Sequence, residues 1–440
     1  MDILIKIAQL FLCFTILVGI HELGHFLMAR AFKIRVEKFY IFFDPWFSLF
    51  KFKRGDTEYG LGWLPLGGYV KIAGMIDESM DKEQMKQPVK PDEFRAKPAW
   101  QRLLVMVAGV MMNVLLAIVI YCAVCYTWGD SYFSNQDAKW GYNFNPTAHE
   151  MGFRDGDRFV SIDGEEIDNV MRVQNDLLIT DGGRRVIVER GGEPVTLDIP
   201  FESLLRMRQE KAYEDLFTLR LPFIVDGVSY TSAVEAGLES GDEVVAIDDL
   251  RDADYPRYRD YLQKHKNDKV LLTVRRDGAL IDSLALPVDA EGRIGVTVTN
   301  PYSLRTQYYT FWESIPAGIH KAGKTISSYW DQLKLIVQPK TKMYEELGGF
   351  VAIGSIFPSS WDWHDFWLKT AFLSIILAVM NLLPIPGLDG GHALFTLWEI
   401  ITRRKPSEKF LEVAQYVGLM IILALLVYAN GNDIYRFFIK

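Results

Sequence analysis

Cysteine is scarce in this chain. Only Cys13, Cys122 and Cys125 occur among 440 residues, and all three lie in apolar stretches. The spacing of the last two resembles a redox pair, but no βαβ pattern surrounds it, and small residues packed among apolar ones explain it better. No disulfide framework is therefore available, so any soluble part must be stable through its core alone.

The middle of the chain lacks a basic surface, and the first apolar run does not have the features of a cleavable leader. Residues 130–365 carry 26 Lys and Arg against 39 Asp and Glu, which excludes a platform for nucleic acid. Lys6 is the only basic residue near the start of the first apolar run, and no small-residue cleavage site follows the run. We therefore expect this run to be retained.

Long apolar runs are abundant, and they predict a polytopic α-helical membrane protein with four transmembrane helices. The runs are residues 3–28, 103–128, 366–383 and 411–429. Residues 30–102 hold fourteen Lys and Arg, and four more basic residues lie between the third and fourth runs. The positive-inside rule places both loops in the cytoplasm, and both termini and residues 130–365 outside.

The first run leads directly into His21-Glu22-Leu23-Gly24-His25. Histidines four residues apart share a helix face and can hold one metal ion, and imidazoles suit Zn²⁺. The Glu22 carboxylate can then act on a water molecule as general base. A chance cluster is the alternative, but ionisable groups inside a membrane span are costly and point to function.

A second motif, Asn381-Leu-Leu-Pro-Ile-Pro-Gly-Leu-Asp-Gly-Gly-His392, ends the third run. Pro384 and Pro386 cannot continue a regular helix, so we expect Asp389 in a non-helical stretch at the inner end of the span. At 1.5 Å per residue, His21 lies roughly 27 Å from the outer start of its span. Asp389 lies at a similar depth, which supports its pairing with the histidines.

The outer segment contains an internal repeat at an offset of 85 residues. Residues 148–164 and 233–249 share the pattern A-x-x-x-G-[FL]-x-x-G-D-x-[FV]-V-x-I-D. Each copy predicts a short helix, a glycine stop, a Gly-Asp turn and a strand, and later strands follow. The pattern resembles bacterial PDZ domains, which bind chain termini or extended segments by strand addition. Domains that act only as spacers are the alternative.

Two further segments leave alternatives open. Residues 32–53 predict a membrane-associated β-rich loop, and the glycine-rich residues 60–71 are either an exposed strand that accepts substrate or an ordinary hairpin on the bilayer. Residues 315–336 predict an amphipathic helix that lies at the outer membrane surface, against the spans, or on the second repeat.

Together the two motifs and the repeats resemble the site-2 protease family of intramembrane metalloproteases, and the arrangement is similar to the bacterial RseP group. The resemblance implies His21, His25 and Asp389 as Zn²⁺ ligands and Glu22 as the base. It also implies a membrane-reentrant β-loop that engages unwound substrate. The residues it assigns to substrate binding are Asn381, Gly67, Gly68, Tyr69, Val70, Lys71, Pro384 and Pro386. His392 fits the family pattern but receives no ligand role.

The resemblance further implies a bacterial inner-membrane protein with two periplasmic α+β PDZ-like domains and a site near the cytoplasmic side. Expected partners are single-span membrane proteins, namely anti-sigma factors after a first cut and remnant signal peptides. The other expected partners are peptide or protein termini, which would bind at the repeats, and the lipid bilayer. The predicted segments follow in order. They are the first span (residues 1–31), a cytoplasmic loop with a membrane-reentrant β-hairpin (32–101), the second span (102–128), two PDZ-like domains (129–220 and 221–303), an amphipathic helix with a connector (304–365), the third span with the second motif (366–392), a cytoplasmic loop (393–410), the fourth span (411–430) and a C-terminal tail (431–440).

Two other functions compete with the protease. A membrane-bound PDZ adaptor with a structural or vestigial metal site is disfavoured by the retained Glu22 and by three protein ligands where structural zinc has four. A zinc transporter needs further ligands along an aqueous path, and the fourth run offers only Gln415 and Tyr416 near its inner end.

Overall fold

The computed structural model describes residues 2–64, 67–75, 88–213 and 215–439. The chain forms two compact units, Met1–Asp130 with Tyr308–Lys440, and Ser131–Gln307.

Helices and strands are numbered along the described part of the chain. The helices are α1 Asp2–Ala31, α2 Ala99–Trp128, α3 Pro146–Glu150, α4 Val173–Leu178, α5 Phe201–Gln209, α6 Thr231–Glu235, α7 Tyr255–Lys264, α8 Phe311–Val337, α9 Phe350–Ser355, α10 Trp363–Leu382, α11 Asp389–Thr402 and α12 Glu408–Ile434. The strands are β1 Val36–Ile41, β2 Phe50–Arg54, β3 Thr57–Leu61, β4 Tyr69–Ile72, β5 Asp130–Tyr132, β6 Tyr142–Phe144, β7 Arg158–Ile162, β8 Glu165–Glu166, β9 Arg184–Arg190, β10 Glu193–Ile199, β11 Phe217–Leu219, β12 Phe223–Val228, β13 Glu243–Ile247, β14 Leu250–Arg251, β15 Lys269–Arg276, β16 Ala279–Pro287, β17 Val296–Val298 and β18 Arg305–Gln307.

Four helices of the described residues are long and apolar enough to cross a membrane. They are α1, α2, α10 and α12, so each of the four predicted runs forms a helix that could span a membrane. Most large apolar side chains of α12 are exposed, such as Met420 and Val427, as expected for a helix whose surroundings are lipid.

The sheet of the first unit has the order β2-β3-β1-β4. Strand β1 pairs in parallel with β3 and antiparallel with β4, so β3 and β4 lie on opposite sides of β1. The hairpin considered for residues 60–71 is therefore wrong, because β1 occupies the place that the hairpin partner would take. Strand β4 ends the sheet, and no other described strand pairs with its free edge.

Helix α8 packs against the spans, which decides between the alternatives for the amphipathic segment. Its Ala322 shares a buried cluster with Tyr121 of α2 and Ile375 of α10. A Cβ on Gly318 would lie 2.5 Å from Cys122 Sγ, so the two helices approach closely there. A Thr310–Glu313 capping box fixes the start of α8.

The third span ends at Leu382, as its prolines predict, but Asp389 is not in a non-helical stretch. It is the first residue of α11, which continues to Thr402. Gly387, with φ +99°, turns the chain between the two helices. A carboxylate in the first turn of a helix faces unpaired amides and the positive end of the helix dipole, which favours this start. The sequence makes two segments candidate gates of the site, the loop of residues 75–98 and the helix from Ile315, and residues 76–87 of that loop lie outside the described residues.

The second unit contains two hydrophobic cores that follow each other along the chain. One is built from residues between Phe133 and Leu216, and the other from residues between Phe223 and Ile294. Each copy of the repeat forms the predicted elements: a short helix (α3 or α6), a left-handed glycine (Gly152 or Gly237), a turn and a strand (β7 or β13). A substantial sheet content therefore accompanies the four spans.

The aspartate of the Gly-Asp turn makes the same ion pair in both copies. Asp157 accepts two hydrogen bonds from Arg190 at 2.7 Å, and Asp242 accepts two from Arg276 at 2.7 and 2.8 Å. Each arginine also donates to the carbonyl oxygen of the glycine stop, which is Gly237 in the second copy. Both carboxylates are buried, so this pair ties the turn to the sheet in each domain.

Candidate metal centre

Helix α1 presents His21 and His25 on one buried face, one turn apart. The His25 Nδ1 atom lies 2.8 Å from the Val105 carbonyl oxygen of α2. A carbonyl oxygen can only accept, so Nδ1 carries the hydrogen and Nε2 keeps its lone pair. The fold therefore holds His25 in the tautomer that binds a metal through Nε2.

Two glycines let α1 and α2 cross closely enough for this contact. A Cβ on Gly24 would lie 2.5 Å from the Ala108 carbonyl oxygen, and one on Gly109 would lie 2.3 Å from His25 Nε2. Any larger residue at these positions would separate the helices or displace the imidazoles. Gly109 is thus part of the site although it contributes no functional group.

Asn113, one turn beyond Gly109, is fully buried against the other histidine. Its carboxamide nitrogen lies 3.3 Å from His21 Nδ1, while its Oδ1 is buried without a hydrogen-bond partner. A 180° flip of the Asn113 carboxamide exchanges its oxygen and nitrogen, so that Oδ1 can accept a hydrogen bond from His21 Nδ1. His21 Nε2 is then also left with its lone pair.

Asp389 reaches the histidines because the chain folds tightly between α10 and α11. A Cβ on Gly390 would lie 2.3 Å from the Leu383 carbonyl oxygen, and one on Gly391 would lie 2.5 Å from that of Ile385. The two glycines after Asp389 therefore allow the turn to fold onto the start of α11. The Ser374 hydroxyl donates to the Asn113 carbonyl oxygen at 2.8 Å and fixes α10 to α2.

The three donor atoms form a nearly equilateral triangle. Asp389 Oδ2 lies 3.1 Å from His21 Nε2 and 3.2 Å from His25 Nε2, and the two nitrogens are 3.3 Å apart. Tetrahedral zinc with bonds of about 2.0–2.1 Å separates its ligand atoms by about 3.3 Å. Because Oδ2 is buried and accepts no hydrogen bond, a cation is the partner it lacks. The residues fit zinc.

A cavity of about 720 Å³ opens beside this triangle and is lined by Glu22, Asn381 and strand β4. Asn381 Nδ2 lies 3.3 Å from His21 Nε2. Gly68 passes over α1 so closely that a Cβ there would lie 2.7 Å from Val18 Cγ1 and 3.2 Å from Glu22 Cγ. The start of β4 is thereby held against the carboxylate that the sequence predicts to be the base.

The structure brings most of the predicted site residues to this one cavity. Those that form or line it are His21, Glu22, His25, Gly67, Gly68, Tyr69, Val70, Lys71, Asn381 and Asp389. Pro384 and Pro386 are not among the described residues that line it, whereas Gly387 and Leu388 of the same turn are. His392 lines the cavity but is outside the group of three donor atoms.

Sequence reasoning missed Gly109 and Asn113, and gave Gln415 no role in the site. A polar residue inside an otherwise apolar run, with glycine four residues before it, is the signal that Asn113 offered. That signal does not say which helix faces the pair. Only the packing of α2 on α1 does.

A helix-borne His-Glu-x-x-His pair completed by an aspartate, in a chain with four candidate spans, defines a metalloprotease centre associated with a membrane. The chain belongs to peptidase family M50, the site-2 protease family, whose model matches residues 9–425. It is accordingly a zinc metalloprotease.

Its relatives match over nearly their whole length. A protein of Clostridium perfringens named as a zinc metalloprotease is 30% identical over 426 residues, 96% of each chain. One of Vibrio cholerae with the same description is 29% identical over 462 residues, 99% of each chain. The regulator of sigma E protease of Haemophilus influenzae is 27% identical over 460 residues, 99% of this chain and 100% of its own.

Proposed function

We propose that this protein cleaves the transmembrane segments of single-span proteins inside the bilayer. The observation that carries the proposal is the place of the metal ligands. His21, His25 and Asp389 lie on helices next to or within candidate spans, and their donor atoms lie 3.1 to 3.3 Å apart. The positive-inside orientation puts them near the cytoplasmic end of α1.

The free edge of β4 supports a substrate-binding role. A transmembrane helix satisfies its own amides and must unwind before a peptide bond can be attacked. An unwound segment can pair with β4 as an added strand, and Tyr69, Val70 and Lys71 then hold it beside the ligands. Helix-breaking residues in a substrate should favour its cleavage.

The chemistry divides among three groups of the chain. His21, His25 and Asp389 would hold zinc, which would supply Lewis-acid activation of a water molecule and of the scissile carbonyl. Glu22 accepts the proton of the attacking water and delivers it to the leaving nitrogen. Asn381 can donate a hydrogen bond to the oxyanion of the tetrahedral intermediate, because its amide lies beside His21 Nε2.

Finer features of the proposal concern substrate and location. We place the protein in a bacterial inner membrane, with the two repeats as periplasmic PDZ-like domains that bind chain termini and exclude substrates with intact outer domains. Anti-sigma factors after a first cut and remnant signal peptides are the expected substrates. The name of the Haemophilus relative, a regulator of sigma E protease, supports the first of these classes.

The test is cleavage of a tagged single-span substrate, with and without its folded outer domain, by the purified full-length protein. Wild type should cut the trimmed substrate and spare the intact one. Glu22→Gln should retain zinc and not cut, because the ligands remain while the base is lost. Asp389→Ala should lose zinc.

Three other outcomes would change the conclusion. Cleavage by Glu22→Gln at the wild-type rate would refute the mechanism. Peptide capture without cleavage by any variant would favour the adaptor. Zinc flux into sealed vesicles without cleavage would favour the transporter.

A further inference from the structure

The fourth span touches the site through one narrow face. Along α12 the residues Gln415 and Gly418 are buried, whereas their neighbours Tyr416, Val417 and Leu419 are exposed. A Cβ on Gly418 would lie 1.4 Å from the Pro386 carbonyl oxygen, so the helix backbone rests directly on the turn that leads to Asp389. This contact fixes the position of Gln415, one turn earlier on the same face.

Gln415 is a polar side chain that hydrogen-bonds to none of the residues that the structure describes. It is 7% exposed and lines the same cavity as His21, Glu22 and Asp389. Among the described residues its carboxamide has no hydrogen-bond partner. A carboxamide inside a membrane span is costly unless something satisfies it, and its atoms face a cavity large enough for a peptide segment.

We propose that Gln415 binds the main chain of the unwound substrate on the side that faces away from β4. This inference rests on the proposed function. In an extended segment, the N–H and C=O groups of successive residues point to opposite sides. Strand β4 can satisfy only one side. On the other side, a carboxamide offers one acceptor and two donors, enough for both groups of one residue.

The role follows from the chemistry of the substrate. A segment pulled out of its helix exposes amides in surroundings with little water, and each unmet amide opposes unwinding. Gln415 can lower that cost independently of the substrate's side chains. It cannot bind a substrate that is still helical, because such a substrate has no free main-chain groups. Gln415 is thereby a residue that selects the extended state.

The experiment compares wild type, Gln415→Leu and the control Met420→Leu in zinc-loaded full-length protein reconstituted in nanodiscs. Leucine keeps the size of glutamine but offers no hydrogen bond, and Met420 is 63% exposed on the same helix. Synthetic single-span substrates carry an ester in place of one backbone amide at a time, at every position around the cut except the scissile bond. Zinc content and melting temperature check folding.

For Gln415→Leu we expect about a tenfold loss of kcat/KM on the all-amide substrate, with zinc and melting temperature unchanged. One ester position should cost wild type a similar factor and cost Gln415→Leu nothing more, because the partner is already gone. Met420→Leu should behave as wild type throughout.

Two results would overturn the proposal. One is a Gln415→Leu enzyme whose kcat/KM stays within about twofold of wild type. The other is a set of ester substrates in which every ester costs wild type and Gln415→Leu the same factor. No ester position would then depend on Gln415, and the effect of the substitution would be assigned to packing. If wild type itself cuts no substrate, the proposed function fails instead, so the two failures are distinguishable.

Discussion

At the scale of single residues, the metal centre depends on the missing side chain of Gly109 as much as on the ligands. Gly109 has no side chain, and the two imidazoles occupy the space that one would fill. Helices in a membrane associate through such small residues, because packing replaces the hydrophobic driving force. The histidine motif alone therefore does not make the site; α2 must fit against it.

Gly109→Ala should lower zinc affinity by about 100-fold or more, because the new methyl group would overlap His25 Nε2. Competition with a chromophoric chelator measures the affinity. Gly323→Ala is the matched control, since nothing lies within 4 Å of the Cβ position there and alanine favours a helix. Equal zinc affinity in the two variants would contradict the role of Gly109.

Asn113 should orient His21 through its side-chain oxygen. Asn113→Leu is expected to weaken zinc binding about 10- to 100-fold, since the ring loses the partner that fixes its tautomer. Asn113→Asp keeps an acceptor at the same place and should retain most of the affinity. The same chelator competition tests both, with the exposed Met111→Leu on α2 as control. Loss of affinity in the aspartate variant equal to that in the leucine variant would rule out an acceptor role.

At the scale of elements, the repeat is stabilised by the same arginine–aspartate pair in each copy. Asp242→Ala removes an acceptor that holds Arg276 and the Glu239 amide. We expect a loss of about 3 kcal/mol in the stability of the second copy, because the arginine is left unpaired. Hydrogen exchange of residues 223–298 in the full-length protein measures it. The exposed Asp282→Ala should cost less than about 0.5 kcal/mol, and an equal effect of both would contradict the pair's importance.

The Asp242–Arg276 pair should also make the stability of the second copy depend on pH in the acid range. Burial alone would raise the pKa of Asp242, but the Arg276 guanidinium and the Glu239 amide outweigh it and hold this pKa below its usual range. Such a carboxylate stabilises the fold above its unfolded pKa of about 3.9 and loses that contribution as pH falls through the folded value. Exchange protection should therefore drop below about pH 4 in wild type, and less steeply in Asp242→Ala.

Elements were predicted unevenly. The amphipathic helix and the turn after the third span follow from their patterns, since hydrophobic period and proline act locally. The sheet order does not, because placing β1 between β3 and β4 depends on contacts between segments distant along the chain. Strand β4 is an edge strand at the cavity because it pairs with β1, and not because it forms a hairpin with β3.

At the scale of the whole molecule, the orientation in the membrane stays a prediction of charge. In a variant whose three cysteines are replaced by alanine, Asp181→Cys should react with an impermeant maleimide in intact spheroplasts, because it lies in the outer segment. Lys405→Cys should react only after permeabilisation. Both residues are exposed, so accessibility within the protein is matched. The reverse pattern would invert the topology and place the site near the outer face.

The sequence by itself determined the four candidate spans, the histidine pair and the repeat, because each depends on a local pattern: a long apolar run, a four-residue spacing, a Gly-Asp turn. Tertiary structure alone decided which residues complete the site. Gly109, Asn113 and Gln415 carry no motif. Gly109 and Asn113 reach the histidines because α2 packs on α1, and Gln415 reaches the cavity because α12 rests on the turn before Asp389. The ligands can be recognised from residue types at fixed spacings. The space around them depends on how helices from distant parts of the chain pack together, which no local pattern specifies.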